Sequence, residues 1–190
     1  MTRNKVIFIS GEIASGKSTF TEALREMGYR TVDTDAIARE VVEPGTKGLE
    51  LLATHFPQSV KDGVLDRSLL AEAVFKDEEK REHLNALLHP LIMQRLDEIT
   101  GRTNQRIFVE VPLIHHAQVR ESADLIIYLK VSKKRQLQWL MERNQLSYEE
   151  ALARVDSFEK QDHHAQVVIL NNGDEKSLKD QARSLVKHIK

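Results

Sequence analysis

Eight consecutive residues, Gly11-Glu12-Ile13-Ala14-Ser15-Gly16-Lys17-Ser18, carry the spacing G-x-x-x-x-G-K-[ST], which is that of a loop that wraps phosphate. The two glycines let the main chain curl until successive N–H groups point inward at phosphate oxygens, and a helix that follows adds the positive end of its dipole. In such a loop the Lys17 ammonium reaches the β- and γ-phosphates and the Ser18 hydroxyl ligates Mg²⁺. The expected nucleotide-binding set is Gly11, Ile13, Ala14, Ser15, Gly16, Lys17, Ser18 and Thr19. The competing explanation is an ordinary glycine-containing turn between a strand and a helix. With glycine near 7% of residues, a chance match is expected in roughly 1% of chains of this length. The loop fixes a class, triphosphate binding, and leaves NTPase, kinase and GTPase reactions open.

Carboxylates elsewhere could complete a phosphoryl transfer. Asp33 and Asp35 follow the short run Tyr29 to Val32, and residues two apart on an extended segment point to the same side. Both would then face a cleft at the carboxyl ends of the strands, where open α/β sheets bind ligands; the alternative for either is a cap on the next helix. A kinase needs a group that receives the acceptor hydroxyl's proton and holds its oxygen in line with the γ-phosphorus, and Asp33 is the candidate. Glu110 ends the apolar run Ile107-Phe108-Val109. That suits a direct or second-layer partner of Mg²⁺, against the plainer reading of an exposed strand-end acid. His115, His116, His163 and His164 invite a metal reading. Adjacent histidines on regular structure point in different directions, however, and no cysteine or close acidic cluster completes a set, so no transition-metal site is expected.

The elements that must hold these groups alternate. Lys5 to Ile9 has the length and β-branched content of a buried strand and leads through the loop into a helix from Lys17 to Met27. Gly28 stops that helix, Tyr29 to Asp33 reads as a strand, and Asp35 to Val42 as a helix closed by Glu43-Pro44-Gly45. Lys47 to Ile99 reads as helical throughout, without a strand, and Asp62-Gly63 as a turn within it. Leu84, Leu87, Leu88, Leu91, Ile92, Leu96 and Ile99 form one core-facing stripe, and His89-Pro90 predicts a kink or helix boundary. Strands follow at Arg106 to Val111 and Leu125 to Val131, helices at Lys133 to Asn144 and Ser147 to about Lys160, a strand at Val167 to Leu170 and a helix at Lys176 to Ile189. Lys133-Lys134-Arg135 reads as a solvated helix start.

Five strands separated by helices require crossover connections, so the fold class is α/β: a three-layer arrangement with a mainly parallel five-stranded sheet. The chain of 190 residues suits one domain of core 1–46 and 101–190, a helical insert of about 47–100 and a lid of about 136–160. Zero cysteines exclude a disulfide framework and a thiol nucleophile and fit a reducing compartment. Lys plus Arg (28) against Asp plus Glu (29) leaves a net charge of −1, so no bulk positive charge draws the chain to nucleic acid or anionic lipid. Val6-Ile7-Phe8-Ile9 is too short for a secretory or membrane segment. The expectation is a cytoplasmic monomer whose partners are small molecules.

Several blocks, in order, resemble the dephospho-CoA kinase family. They are Ile13 to Thr19; Val32-Asp33-Thr34-Asp35-Ala36-Ile37-Ala38-Arg39 with Val42-Glu43-Pro44-Gly45; Leu65-Asp66-Arg67; Leu84 to Ile92 around His89-Pro90; and Val111-Pro112-Leu113-Ile114. The resemblance implies a P-loop kinase that uses Mg·ATP to phosphorylate the ribose 3′-hydroxyl of dephospho-CoA. It implies Asp33 as base and the helical insert as much of the acceptor site, with Asp35, Arg39, Arg67 and His89 as substrate-binding residues. It also implies a lid from Gln136 to Arg154, in which Arg143 offsets charge on the transferring group; without the resemblance Arg143 reads as a solvated helix charge.

Four positions depart from the family pattern. Glu12 stands where glycine is usual, Trp139 at the first arginine of the lid helix, His116 where an acid is usual and Phe158 where a polar residue is usual. Two alternatives stay open. The loop from Ser10 to Thr19 also resembles deoxynucleoside-kinase loops, and the altered lid suits a nucleotide-binding protein impaired in catalysis.

Overall fold

The computed structural model describes residues 6–75, 77–101, 105–111, 122–157 and 164–189. Pro112 to Ile114, His115, His116, Phe158 and His163 lie outside them. Strands β1 (Val6–Gly11), β2 (Arg30–Asp33), β5 (Ile107–Glu110), β6 (Leu125–Lys130) and β7 (Val167–Leu170) make one sheet in the order β2-β5-β1-β6-β7, while β3 (Val60–Lys61) and β4 (Val64–Leu65) pair only with each other. Consecutive apolar residues place β1 at the centre, since a strand apolar on both sides needs cover on both; Ile7, Phe8 and Ile9 are fully buried. It runs parallel to β5 and β6, with Ile9 opposite Glu110 and Gly11 opposite Leu129, and β7 runs parallel to β6. The carboxyl ends of β1, β5, β6 and β7 therefore open on one edge.

Helices α1 (Lys17–Glu26) and α8 (Glu175–His188) flank the sheet. Phe20, Ala23 and Leu24 of α1 share a core with Leu178, Ala182 and Val186 of α8 and with Ile7, Ile9, Phe108, Ile127 and Leu129. The four-residue spacing on α8 is that of a helix with one apolar stripe. Helices α6 (Lys133–Asn144) and α7 (Tyr148–Asp156) pack through Leu137, Leu140 and Ala151. A capping box between Ser147 and Glu150 starts α7.

Contacts divide the chain into two compact units, Met1–Val32 with Asn104–Lys190, and Asp33–Thr103. The second unit holds α2 (Thr34–Glu40), α3 (Lys47–His55), a 3-10 turn at Pro57–Ser59, α4 (Arg67–Phe75) and α5 (Glu78–Thr100). It starts at Asp33 rather than Lys47, because α2 belongs with α5: Glu40 pairs with Arg95 at 2.7 Å.

Two sequence expectations fail here, and of the kink or helix boundary expected at His89-Pro90 the boundary is absent. The segment is not helical throughout, for Val60–Lys61 and Val64–Leu65 form a small antiparallel ladder. Asp62 and Gly63 both adopt positive φ, the conformation that a two-residue hairpin turn requires. Helix α5 runs unbroken across Pro90 for 23 residues. The missing N–H removes one rung, while the Asp77 cap on Lys80 and the Arg95 pairs to Glu40 and Glu98 hold the helix on either side. Of the expected stripe only Leu96 is fully buried, and Leu84, Leu87, Leu88, Leu91, Ile92 and Ile99 are half-buried, as a small unit's limited interior dictates. Among the described residues no helix is long and apolar enough to cross a membrane.

Candidate active site

The phosphate loop starts where β1 ends. Gly11 is the last residue of that strand, and a Cβ on it would come within 2.5 Å of the Leu129 carbonyl oxygen. Close strand approach, not curling, therefore demands the first glycine. Gly16 sits at φ +88°, and a Cβ there would meet Asn171 Nδ2 and Leu178 Cδ2 at 2.7 Å, so conformation and space both exclude a side chain. Gly16 is also the N-cap of α1, without a side-chain bond to the first turn, which leaves the helix's positive end directed at the loop.

Lys17 Nζ donates to the carbonyls of Gly11 (3.0 Å) and Glu12 (3.1 Å), which folds the ammonium over the loop. One residue on, Ser18 Oγ donates to Glu110 Oε1 at 3.3 Å. A hydroxyl and a carboxylate from α1 and the end of β5 thus converge as hard oxygen donors of the kind Mg²⁺ accepts alongside water and substrate phosphate. Among the described residues no group of three or more His, Asp or Glu side chains could hold a metal ion.

Ser15 contributes main chain rather than hydroxyl. Its Oγ is buried beside Gly11, and its carbonyl accepts from Asn171 Nδ2 at 2.9 Å. Asn171, 3% exposed, follows β7 and holds the loop from below. From α6, Gln136 Nε2 donates to the Ile13 carbonyl at 3.2 Å. Sequence reading gave Asn171 no role and Gln136 only the start of the expected lid. For Asn171 the available signal was a polar residue ending an apolar strand and leading into Asn172-Gly173-Asp174.

A cavity of about 860 Å³ opens beside the loop, lined by Ile13, Gly16, Thr19, Trp139, Arg143 and Asn171, with Arg135 and Arg154 on the same walls. Arg143, in the last turn of α6, is thus cavity-lining as well as exposed. Arg135 is not a solvated helix charge. It donates to the Gly173 carbonyl at 2.9 Å, and its guanidinium lies 5.6 Å from the centre of the Trp139 ring, a cation–π contact. Lys133 and Lys134 are exposed as expected, with Lys133 paired to Asp156.

The remaining candidates belong to the Asp33–Thr103 unit. Asp33 caps α2, its Oδ1 accepting from the Asp35 amide at 2.8 Å. Asp35 lies in the first helical turn rather than on an extended segment, so the argument that both carboxylates share a side does not hold. Arg39 is exposed in the last turn of α2, Arg67 is exposed at the start of α4 behind the Asp66 cap, and His89 is half-buried on α5. The structure brings Lys17, Ser18, Glu110 and Arg143 into one unit and Asp33, Asp35, Arg39, Arg67 and His89 into the other.

The family model for dephospho-CoA kinase matches residues 5–177, a span that includes the loop, Asp33, Glu110 and α6. The chain belongs to the dephospho-CoA kinase family. A dephospho-CoA kinase of Listeria monocytogenes is 37% identical over 177 residues, covering 88% of each chain. Among solved structures, TT1252 from Thermus thermophilus superposes with a TM-score of 0.82 at 30% identity over 99% of both chains. A dephospho-CoA kinase from Campylobacter jejuni gives 0.64 at 28% identity over 97% of both. The parallel sheet, its flanking helices and the loop between β1 and α1 are those of a P-loop kinase, and the family makes the chain an ATP-dependent phosphotransferase.

Proposed function

We propose that this chain phosphorylates the ribose 3′-hydroxyl of dephospho-CoA from Mg·ATP, with Asp33 as the proton acceptor. The observation that carries the reading is the family match across both compact units, which joins a phosphate loop to the Asp33 segment. The main chain of Gly11 to Thr19 and the ammonium of Lys17 bind the triphosphate, and the cavity walled by Trp139 and Arg143 takes the rest of the nucleotide. Ser18 and Glu110 would hold Mg²⁺, which supplies charge neutralisation at the phosphate oxygens.

Asp33 takes the proton of the acceptor hydroxyl as its oxygen bonds to the γ-phosphorus and the β–γ bridging P–O bond breaks, giving ADP and CoA. A carboxylate offers about four acceptor sites, so capping the Asp35 amide does not consume it. Arg143 screens charge on the transferring group, and Asp35, Arg39, Arg67 and His89 hold the acceptor. One chain supplies every group in this scheme, which supports action as a monomer, and the absence of cysteine supports a cytoplasmic setting.

Asparagine caps helices about as well as aspartate, so Asp33→Asn keeps α2 anchored while removing the base. Given Mg·ATP and dephospho-CoA, the protein should form ADP and CoA. Asp33→Asn should lose about 10²–10⁴-fold in turnover while its ATP affinity stays within about threefold, and Lys17→Ala serves as the binding-defective control. Equal turnover in Asp33→Asn would remove Asp33 from the base role. Preference for a nucleoside in an acceptor panel would redirect the reading to a nucleoside kinase.

A further inference from the structure

Glu12 is the one acidic residue within the phosphate loop, and its carboxylate is turned away from the cradle. Oε2 accepts from the backbone N–H of Val131 at 2.9 Å. Val131 follows β6 and directly precedes Ser132, the N-cap of α6. The same residue is tied at its main chain as well. Its N–H donates to the Leu129 carbonyl at 3.0 Å, and its carbonyl accepts from Ser15 N at 3.1 Å and Lys17 Nζ at 3.1 Å. One residue thus joins the phosphate-gripping lysine to the root of the helix that carries Arg143. Its charge lies towards β6, where burial first and the Glu12 carboxylate second push the Tyr128 phenol up to about 12.

We propose that Glu12 is a positioning residue that locks the root of α6 to the phosphate loop, so that phosphate engagement by Lys17 and placement of Arg143 are coupled through its carboxylate. Val131 is 7% exposed, and a buried N–H that loses its acceptor is costly to leave unmade. Among the described residues α6 is also held by Gln136 on the Ile13 carbonyl, by the packing of Leu137 and Leu140 in a cluster with Ile13 and Ala14, and by the Ser132 N–H on Asn172 Oδ1 at 3.1 Å, next to the Asn171 that supports Ser15. None of these takes up the Val131 N–H. Leverage makes that point matter. From Ser132 to Arg143 the helix is about 16 Å long at 1.5 Å per residue, so a tilt of about 5° at the root moves Arg143 by about 1.4 Å. Misplacement of about 1 Å can cost on the order of 10²-fold in rate. Where a glycine stands at this position no such tie exists, so the device belongs to this chain's own sequence.

The inference rests on the proposed role of Arg143, and its test separates the two. Glu12 is not among the residues with positive φ, so Glu12→Ala is compatible with the backbone; Glu12→Ser, too short to reach Val131, serves if Ala does not fold. Hydrogen exchange at the Val131 amide is read in the full-length protein together with kcat and KM for ATP. Glu12→Ala should speed Val131 exchange by about tenfold or more and lower kcat/KM by about tenfold or more. Glu12→Gln, whose amide oxygen can still accept, should bring both to within about threefold of wild type. The coupling is overturned if exchange at Val131 is unchanged, if exchange rises with kinetics unaffected, or if Gln behaves like Ala. Should the wild type fail to phosphorylate dephospho-CoA, the proposed function falls, while Val131 exchange and ATP affinity still judge the tie.

Discussion

Replacing Asn171 by aspartate puts an acceptor where the loop needs a donor, without changing side-chain size. Asn171 Nδ2 donates to the Ser15 carbonyl at 2.9 Å, and the residue is 3% exposed. In Asn171→Asp an ionised carboxylate would face that carbonyl oxygen, acceptor against acceptor. The lost bond and the unsatisfied carbonyl cost about 1–3 kcal/mol, and desolvating the charge adds to this. Protonation sets the ceiling, because the neutral acid can donate to Ser15 again. Holding a carboxyl of ordinary pKa about 3.9 protonated at pH 7 costs about 4 kcal/mol at 1.36 kcal/mol per pH unit. The expected loss at pH 7 is therefore about 2–4 kcal/mol, or roughly 30- to 1,000-fold in the folding constant.

The pH dependence has a definite sign. The introduced carboxyl has a folded pKa raised above its unfolded one, so the deficit is full above the folded pKa and disappears as pH falls to about 3.9. At pH 5 the ceiling drops to about 1.5 kcal/mol. Asn171→Ala makes the comparison. It also deletes Oδ1, a buried acceptor without a hydrogen-bond partner among the described residues, so it should cost only about 1–2 kcal/mol and show no such pH dependence. Urea midpoints at pH 7 and pH 5, with unchanged m-values, read all three proteins. A variant Asn171→Asp as stable as wild type at pH 7, or one whose deficit does not shrink at pH 5, would refute the claim that this amide holds the loop.

Two further outcomes follow from the same region. Burial, with the Glu12 charge second, pushes Tyr128 up to about 12. The fold thus favours the protonated phenol, and the resulting stability, complete below an unfolded pKa of about 10, should be lost as pH rises towards about 12. Tyr128→Phe should remove that slope from alkaline unfolding curves, and an unchanged slope would show that another group sets it. Trp139 is the only tryptophan and lines the cavity beside the loop. ATP should therefore change its emission saturably, and Lys17→Ala should shift the titration to higher concentration by at least about tenfold. Saturating ATP without any change in emission would exclude that cavity as the nucleotide's seat.

Much of the molecule was legible in the chain. Lys133–Asn144 and Val167–Leu170 begin and end where pattern predicts, since both are long or apolar enough for local preference and burial to agree. The helical unit was harder, because its two-residue strands are below the length at which period-2 alternation can be seen. Capping by Asp33 was foreseen as an alternative to catalysis and a helix from Asp35 was legible; what failed was the extended geometry that would have set both carboxylates on one side. The choice between strand end and helix start depends on where β2 leaves the sheet.

The sequence by itself determined the phosphate loop, its glycines and its lysine, because a contiguous motif keeps its spacing in whatever fold surrounds it. It also determined Glu110 as the acid ending an apolar strand. Only the tertiary structure decided that Ser18 would meet Glu110 across 92 residues, that Asn171 would support Ser15 across 156, and that Glu12 would turn outward to Val131 across 119. Those partners are selected by strand order and register in a parallel sheet. One crossover brings the end of a strand to the loop and leaves its sequence neighbours on the far side, and no local pattern of residues encodes that choice.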